Sequence, residues 1–380
     1  MMKYCKKCLY PETKPEINFD NEGICAACKT LEKKQQINWE DRRLDLEKIL
    51  NNYKSKDGSK YDCIIPVSGG KDSHFQAHII KNEFGLNPLV VSFHPRDFTE
   101  LGRKNLENLK DLGVDCIEFT SNPIIYKKLA KFGLMKLGDC AWPEHIGIFT
   151  VPVQVAVAYK IPLIIWGENP QMEYGGPASV SDTQFLDKEW NEKHGGYFLD
   201  KIKPRDLVKY GIELKDLKPY LYPTDEEINE MGVTGIFLGY YIKWDARKQL
   251  DIMKTMGFST LEENSEGTYT NYENLDTKYV AMHDYFKFLK FGFGRATDHA
   301  SIDIRNGRLT REEGLELVKK YDGKIPLKYF KEFLNDFELT ENEFIDICEK
   351  FTNKDIFKTD KNGNLIRDKN NNIVKLNSNY

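Results

Sequence analysis

From Tyr61 onward, short apolar runs alternate with amphipathic stretches. Cys63-Ile64-Ile65-Pro66-Val67, Leu89-Val90-Val91-Ser92-Phe93, Cys116-Ile117-Glu118-Phe119 and Pro162-Leu163-Ile164-Ile165-Trp166 have the length and apolar content of buried strands. Between the first two, Phe75, Ala77, Ile79 and Ile80 mark the buried face of a helix over 73–84, closed by Gly85. A second helix over 101–112 ends at Gly113, and two helical stretches precede the fourth strand. This alternation predicts an α/β fold with a parallel, doubly wound sheet covered by helices on both faces. Ligands of such sheets lie beyond the carboxyl ends of the strands. The most apolar stretch, 149–166, contains Pro152, Gln154, Lys160 and Pro162, so it reads as a buried helix and a strand, not a membrane span.

The flanking regions read differently. Residues 1–35 are turn-rich, and 36–60 form a helical linker with Trp39, Leu44, Leu46, Ile49 and Leu50 as its apolar positions. Residues 167–223 are rich in Gly, Pro, Tyr and charge, and they read as an insertion or lid within a main domain over 61–300. A further strand is expected over 235–242 and an aromatic-rich helix over 274–291. Capping boxes at Thr310/Glu313 and Thr340/Glu343 start two helices of a helical region over 301–358. The polar tail, 359–380, predicts a surface hairpin or disorder, and no internal repeat stands out.

Composition narrows the class. Of 380 residues, 40% are hydrophobic and 30% charged, with a net charge of -4. That balance argues for a soluble globular protein and against a broad basic nucleic-acid surface. Lysines and cysteines stand where a secretory signal needs an apolar core, so a cytoplasmic location is expected.

Four of the eight cysteines fall in the first 28 residues. Cys5-Lys6-Lys7-Cys8 and Cys25-Ala26-Ala27-Cys28 are two knuckles at the spacing of a zinc ribbon, with an iron–sulfur cluster as the alternative. Four protein ligands leave zinc no open position, so its expected role is structural.

The second motif is Ser68-Gly69-Gly70-Lys71-Asp72-Ser73, directly between an apolar strand and a helix. Its glycines let backbone N–H groups approach an anion, the helix N-terminus favours phosphate, and the serines add hydroxyls. Ile65 stands where a Walker A loop needs glycine, so the loop is of another kind. Past the fourth strand, Glu168 is a candidate for Mg²⁺ or sugar binding and Asn169 for the substrate amide, with a plain strand-exit turn as the alternative. In Gly292-Phe293-Gly294-Arg295, the arginine suits bidentate phosphate contact, against a glycine-rich helix break with a surface arginine. His299 reads as a general base for ammonia or as a hydrogen-bonded turn histidine. His94, at the end of the second strand, is a candidate for the adenine or a packed residue. Asp139-Cys140-Ala141-Trp142 and Glu173-Tyr174-Gly175-Gly176 are weaker candidates, with Cys140 read as packed.

The loop 68–73 resembles that of the PP-loop ATP pyrophosphatases, which include GMP, NAD and asparagine synthetases and tRNA-thiolating enzymes. Cys-x-x-Cys-Leu-Tyr-Pro, Gly-Ile-Cys-x-x-Cys, Trp166-Gly167-Glu168-Asn169 and the run Phe291 to His299 extend the resemblance to the N-acetyl sugar amidotransferases of bacterial surface-polysaccharide and flagellar-glycan pathways. The resemblance implies ATP and Mg²⁺ as cofactors beside structural Zn²⁺, and adenylation of an acetamido oxygen followed by displacement of AMP by ammonia. With the motif readings, it places Lys71, Asp72, Glu168 and Arg295 in the chemistry. Nucleotide binding falls to Ser68, Gly69, Gly70, Lys71, Asp72, Ser73 and His94, and substrate binding to Glu168, Asn169, Arg295 and His299. The implied substrate is a nucleotide-linked acetamido sugar or nonulosonic acid. No cysteine sits in a glutaminase context, so ammonia is expected from solution or from a separate partner, and the resemblance implies a separate glutaminase subunit, with a cyclase-like subunit as a candidate conduit. A tRNA-thiolating enzyme and a non-catalytic nucleotide sensor are the competing readings.

Overall fold

The computed structural model describes residues 2–94, 96–177, 182–194, 202–369 and 372–376. Five strands, β1 (Cys63–Pro66), β2 (Pro88–His94), β3 (Asp115–Thr120), β4 (Leu163–Trp166) and β5 (Thr234–Phe237), form one sheet in the order β3-β2-β1-β4-β5. Every pairing is parallel, with Ile64 opposite Leu89 on one side and Ile164 on the other. The chain winds outward from β1 to β3, then returns to β4 on the other side of β1. The order therefore reverses between β1 and β4, and a crevice opens there beyond their carboxyl ends.

Side chains alternate across the sheet, and the two faces carry separate cores. Ile64, Leu89, Val91, Phe93, Ile164, Trp166 and Phe237 face one way, against the helix Trp142–Tyr159. Cys63, Ile65, Val90, Leu163, Ile165 and Ile236 face the other, under the helices Trp39–Tyr53, Lys71–His78, Glu100–Lys110 and Ala246–Thr255. The first core continues into the C-terminal helices through Phe286, Phe333 and Phe344, so this region shares the main domain's interior.

Several expected elements shift. The helix after β1 starts at Lys71 and continues from Ile79 as a π-turn to Glu83. The strand expected over 235–242 stops at Phe237, because the chain turns at Leu238 and Gly239 to pass against the backbone of Glu168. The helix expected from 274 begins at Val280, and Asn274 has a positive φ of 58° that breaks any earlier start. The described parts of 167–223 are no free lid: Leu207, Leu217 and Tyr220 are buried, and Gln154 Nε2 donates to the carbonyls of Lys218 and Leu221 at 2.8 and 2.7 Å. The tail forms antiparallel bridges, such as Thr359 with Leu365 and Arg367 with Ile373, and buries Ile373 in the core. It also contains a repeat that the sequence reading missed: Asp360 accepts from Asn364 N and Asp368 from Asn372 N, each at 2.9 Å, in two successive turns of the same design.

Candidate active site at the β1–β4 crevice

The loop after β1 is organised by its own side chains. Ser68 N donates to Ser73 Oγ at 2.9 Å, and Gly70 N donates to Ser68 Oγ at 3.3 Å. The two serines thus brace the turn. Gly69 has φ +91°, and a Cβ there would lie 3.1–3.2 Å from backbone atoms of the helix Glu100–Lys110, so this position requires glycine. Gly70 is less constrained, with Ser68 Oγ at 3.4 Å as the one neighbour a Cβ would meet. As N-cap it offers no side chain to the first-turn N–H groups, which leaves them for an anion.

Lys71 is 3% exposed and lies 2.6 Å from Asp72 Oδ2 and 2.7 Å from Glu273 Oε1. Burial opposes the Lys71 charge, but the Asp72 and Glu273 carboxylates outweigh it and hold its pKa well above the ordinary lysine value. Lys71, Asp72, Glu168, Tyr174, Tyr272, Glu273 and His299 line one cavity, together with Asp245, Asp303 and Arg308. Burial, then the Asp72 carboxylate, pushes Glu168 up to about 7. Asp72 Oδ1 is buried with no hydrogen-bond partner among the described residues. Crowded carboxyls and an orphaned oxygen facing a phosphate loop are a donor set that fits Mg²⁺. His299 Nδ1 is 2.6 Å from Thr268 Oγ1, and burial pushes its pKa down to about 4, so the imidazole is neutral near pH 7.

Other expected site residues have protein partners. Asn169 Oδ1 accepts from Gln171 N at 2.9 Å and Met172 N at 3.3 Å, capping the short helix Pro170–Tyr174, so its side chain supports the loop rather than lining the cavity. Arg295 makes its two-pronged contact with Asp284, at 3.0 and 3.1 Å, instead of with a free phosphate position. The helix N-terminus at Arg295 is likewise taken: Asp322 accepts from Gly294 N, Ala296 N and the Thr297 hydroxyl at 2.8, 3.0 and 2.6 Å. The glycines of this motif admit protein atoms, since a Cβ on Gly294 would meet Asp322 and one on Gly292 would meet Ile356. His94 lies outside the cavity, with Nδ1 3.0 Å from Arg103 and Nε2 2.8 Å from Glu118.

The sequence reading missed Glu273, Tyr272, Asp303 and Arg308. It also missed Asp276, which accepts a hydrogen bond from the Ser68 side chain. Glu273 and Asp276 lie in an irregular segment with no periodicity to mark them. The one available signal was chemical, because a buried lysine requires more carboxylate than Asp72 alone supplies.

The four N-terminal cysteines are buried, and their sulfurs converge within 4.8 Å of one another. Cys5 and Cys28 sulfurs are 3.8 Å apart and those of Cys8 and Cys25 3.5 Å. Zinc–sulfur bonds of about 2.3 Å in a tetrahedron place sulfurs about 3.8 Å apart, so the cluster fits one zinc. Cys8 N and Cys25 N point at Cys5 Sγ, at 3.5 and 3.3 Å, as they would at a thiolate. The unit docks on the site's supporting elements. Leu9 N donates to Ser301 Oγ at 3.3 Å, Lys34 pairs with Glu173, and Lys14 Nζ donates to Gly175 O at 3.3 Å. Arg305 donates to Glu173 O at 2.8 Å, with its guanidinium 5.3 Å from the Tyr10 ring centroid.

Comparison with known proteins marks the other end of the chain. Residues 266–370 match the family described as LPS biosynthesis protein WbpG-like, C-terminal domain. That span includes Glu273, Arg295 and His299. An uncharacterized protein, MJ1599 of Methanocaldococcus jannaschii, is 42% identical over 88 residues, covering 23% of this chain and 31% of that protein. The match therefore spans about a third of that relative's length. The solved structure of NMN synthetase from Francisella tularensis aligns with 52% of this chain and 93% of its own, at 14% identity and a TM-score of 0.29. A likeness at that level places no constraint on the site. Among the described residues, no helix is long and apolar enough to cross a membrane.

Proposed function

We propose that the chain is an ATP-dependent amidotransferase of surface-glycan biosynthesis that converts a sugar acetamido group to an acetamidino group, releasing AMP and pyrophosphate. The observation that carries this reading is the Lys71–Asp72–Glu273 cluster on the Gly69-Gly70 turn, at the sheet's point of reversal. Support for the glycan pathway comes from the C-terminal match to an LPS biosynthesis family and from the sequence resemblance.

An amide oxygen is a poor leaving group, and AMP is a good one. In the proposed reaction the acetamido oxygen attacks the α-phosphorus, pyrophosphate leaves with the bonding pair, and the amide nitrogen loses its proton. Ammonia then adds to the carbon, a proton is lost, and AMP departs with the C–O electrons, leaving the amidine. The first-turn N–H groups and Lys71 receive the pyrophosphate, Asp72 and Glu168 hold Mg²⁺, and neutral His299 accepts a proton from the incoming ammonia. Mg²⁺ supplies charge neutralisation at the phosphates. Arg295, fixed by Asp284, adds positive charge from behind the site.

The test is incubation of the full chain with ATP, Mg²⁺, ammonium and a panel of nucleotide-linked diacetamido sugars. We expect AMP, pyrophosphate and a product about one mass unit lighter than its precursor, the change for replacing O by NH. Glutamine should serve only when a separate glutaminase subunit, with any conduit, is added. AMP formation that needs tRNA and a sulfur donor instead would overturn the reading.

A further inference from the structure

Away from the cysteine unit and the Lys71 cavity, three side chains from two segments of the chain meet near the N-terminus of the helix Trp142–Tyr159. Asp139 precedes that helix, His145 lies in its first turns, and His283 belongs to the helix Val280–Phe291. One ligand atom from each lies within 4.8 Å of the other two. Asp139 Oδ1 is 2.8 Å from His283 Nδ1, and the imidazoles of His145 and His283 stand edge to face with centroids 4.8 Å apart. Asp139 Oδ1 also accepts from Ala141 N at 2.9 Å, which fixes the carboxylate. The side chain of His145 has no hydrogen-bond partner among the described residues. A structural aspartate–histidine pair accounts for Asp139 and His283, but it leaves the second imidazole without a role.

We infer that Asp139, His145 and His283 form a second metal site, for a divalent first-row transition ion. Two imidazoles and one carboxylate are a donor set for zinc, iron, manganese or cobalt. With bonds of about 2.1 Å, neighbouring ligand atoms sit about 3.0–3.4 Å apart, so the 2.8 Å Asp139–His283 separation needs only a small opening. The His283 side chain is 20% exposed and that of Asp139 5%, so the ion has a route in from one side and a buried carboxylate beneath it. Three protein ligands leave open coordination positions, unlike the closed four-cysteine unit. The site also borders the proposed chemistry, since Asp284, next in sequence to His283, holds Arg295.

The experiment is a cobalt titration of the metal-stripped full chain, followed by its absorption spectrum. Cobalt on the cysteines gives intense thiolate-to-metal charge-transfer bands, whereas cobalt on nitrogen and oxygen ligands gives only weak visible bands. We expect two equivalents per chain. His145→Ala and Asp139→Asn should each lose the second equivalent while keeping the charge-transfer bands, which report that the cysteine site survives, and a parental far-UV circular dichroism spectrum and cooperative melt, which report that the fold does. His145→Ala leaves the Asp139–His283 pair intact, so it guards against misfolding of Asp139→Asn. A single equivalent in the parent chain, or a second equivalent retained in both variants, would overturn the assignment. Neither readout depends on catalytic activity, so this test stands apart from the amidotransferase reading.

Discussion

Glu273 Oε1 lies 2.7 Å from Lys71 Nζ, which ties the loop after β1 to an irregular segment just before the helix Val280–Phe291. Lys71 is held by two carboxylates, and a phosphate that binds at Lys71 must share or replace those partners. Glu273 therefore both positions the lysine and competes with its ligand. We expect Glu273→Gln to weaken that hold and lower pyrophosphate release on the order of tenfold, equivalent to about 1.4 kcal/mol. Unaltered steady-state release would show that the pair has no part in turnover.

The two glycines of the loop should respond differently. Gly69→Ala places a Cβ against the backbone of the helix Glu100–Lys110 at a positive φ, so we expect roughly 1–3 kcal/mol of destabilisation and loss of ATP cleavage. Gly70→Ala has room and should retain both. Urea melts of the two variants, with pyrophosphate assays, compare them directly.

Arg295, with its side chain 23% exposed, forms a two-pronged pair with the buried Asp284. Asp284→Ala should destabilise the fold, because it removes the carboxylate that compensates a largely buried guanidinium. Arg295→Lys should also lower the urea midpoint, since lysine cannot reproduce the planar contact. An unchanged midpoint in both variants would mean that the pair holds nothing together.

His299 sets a pH dependence. Burial lowers its pKa from 6.5 to about 4, against the pull of Glu273 and Asp298 and with Arg295 and Lys71 opposing its charge. Below 6.5 the unfolded chain takes up a proton that the folded chain refuses until about 4. This group therefore makes the fold less stable as pH falls through that window, by up to roughly 3 kcal/mol. His299→Gln should flatten the slope of melting temperature against pH between those values. An identical slope in the variant would refute the assignment.

Arg305 joins the cysteine unit to the loop after β4. Arg305→Ala should leave zinc content at the parental level while lowering turnover, because the contact with Glu173 O is lost and Glu168 sits on the same loop. Metal analysis and pyrophosphate release separate the two effects, and zinc loss in this variant would instead place Arg305 within the metal unit's own fold.

The inner strands of the sheet were legible because they are buried on both faces and so read as unbroken apolar runs, such as Leu163 to Trp166, whereas the edge strand β3 is half-buried and alternates. The phosphate loop was legible because its parts are contiguous. Arg295 was harder, since the residues that engage it and its helix, Asp284 and Asp322, lie outside the Gly-Phe-Gly-Arg motif. Glu273 and Asp276 carry no periodic signal, and only the folded chain brings them to Lys71 and Ser68. Asn169 shows the reverse case: a polar residue beside a proline after a strand is what a helix cap requires, and that local use prevails.

The docking of the cysteine unit also constrains the order in which the protein is made. Leu9 and the carbonyls of Cys5 and Cys8 meet Ser301 and Arg311, which emerge from the ribosome only after most of the chain. The N-terminal unit contains its full set of cysteines from the start, so it can take up metal and fold locally while its seat does not yet exist. Leu9, fully buried with Ala300 and Val318 in the finished protein, stays uncovered throughout that interval. The cysteine unit thus reaches its final place late, and the loop bearing Glu168 gains its outer support only when the C-terminal helices arrive.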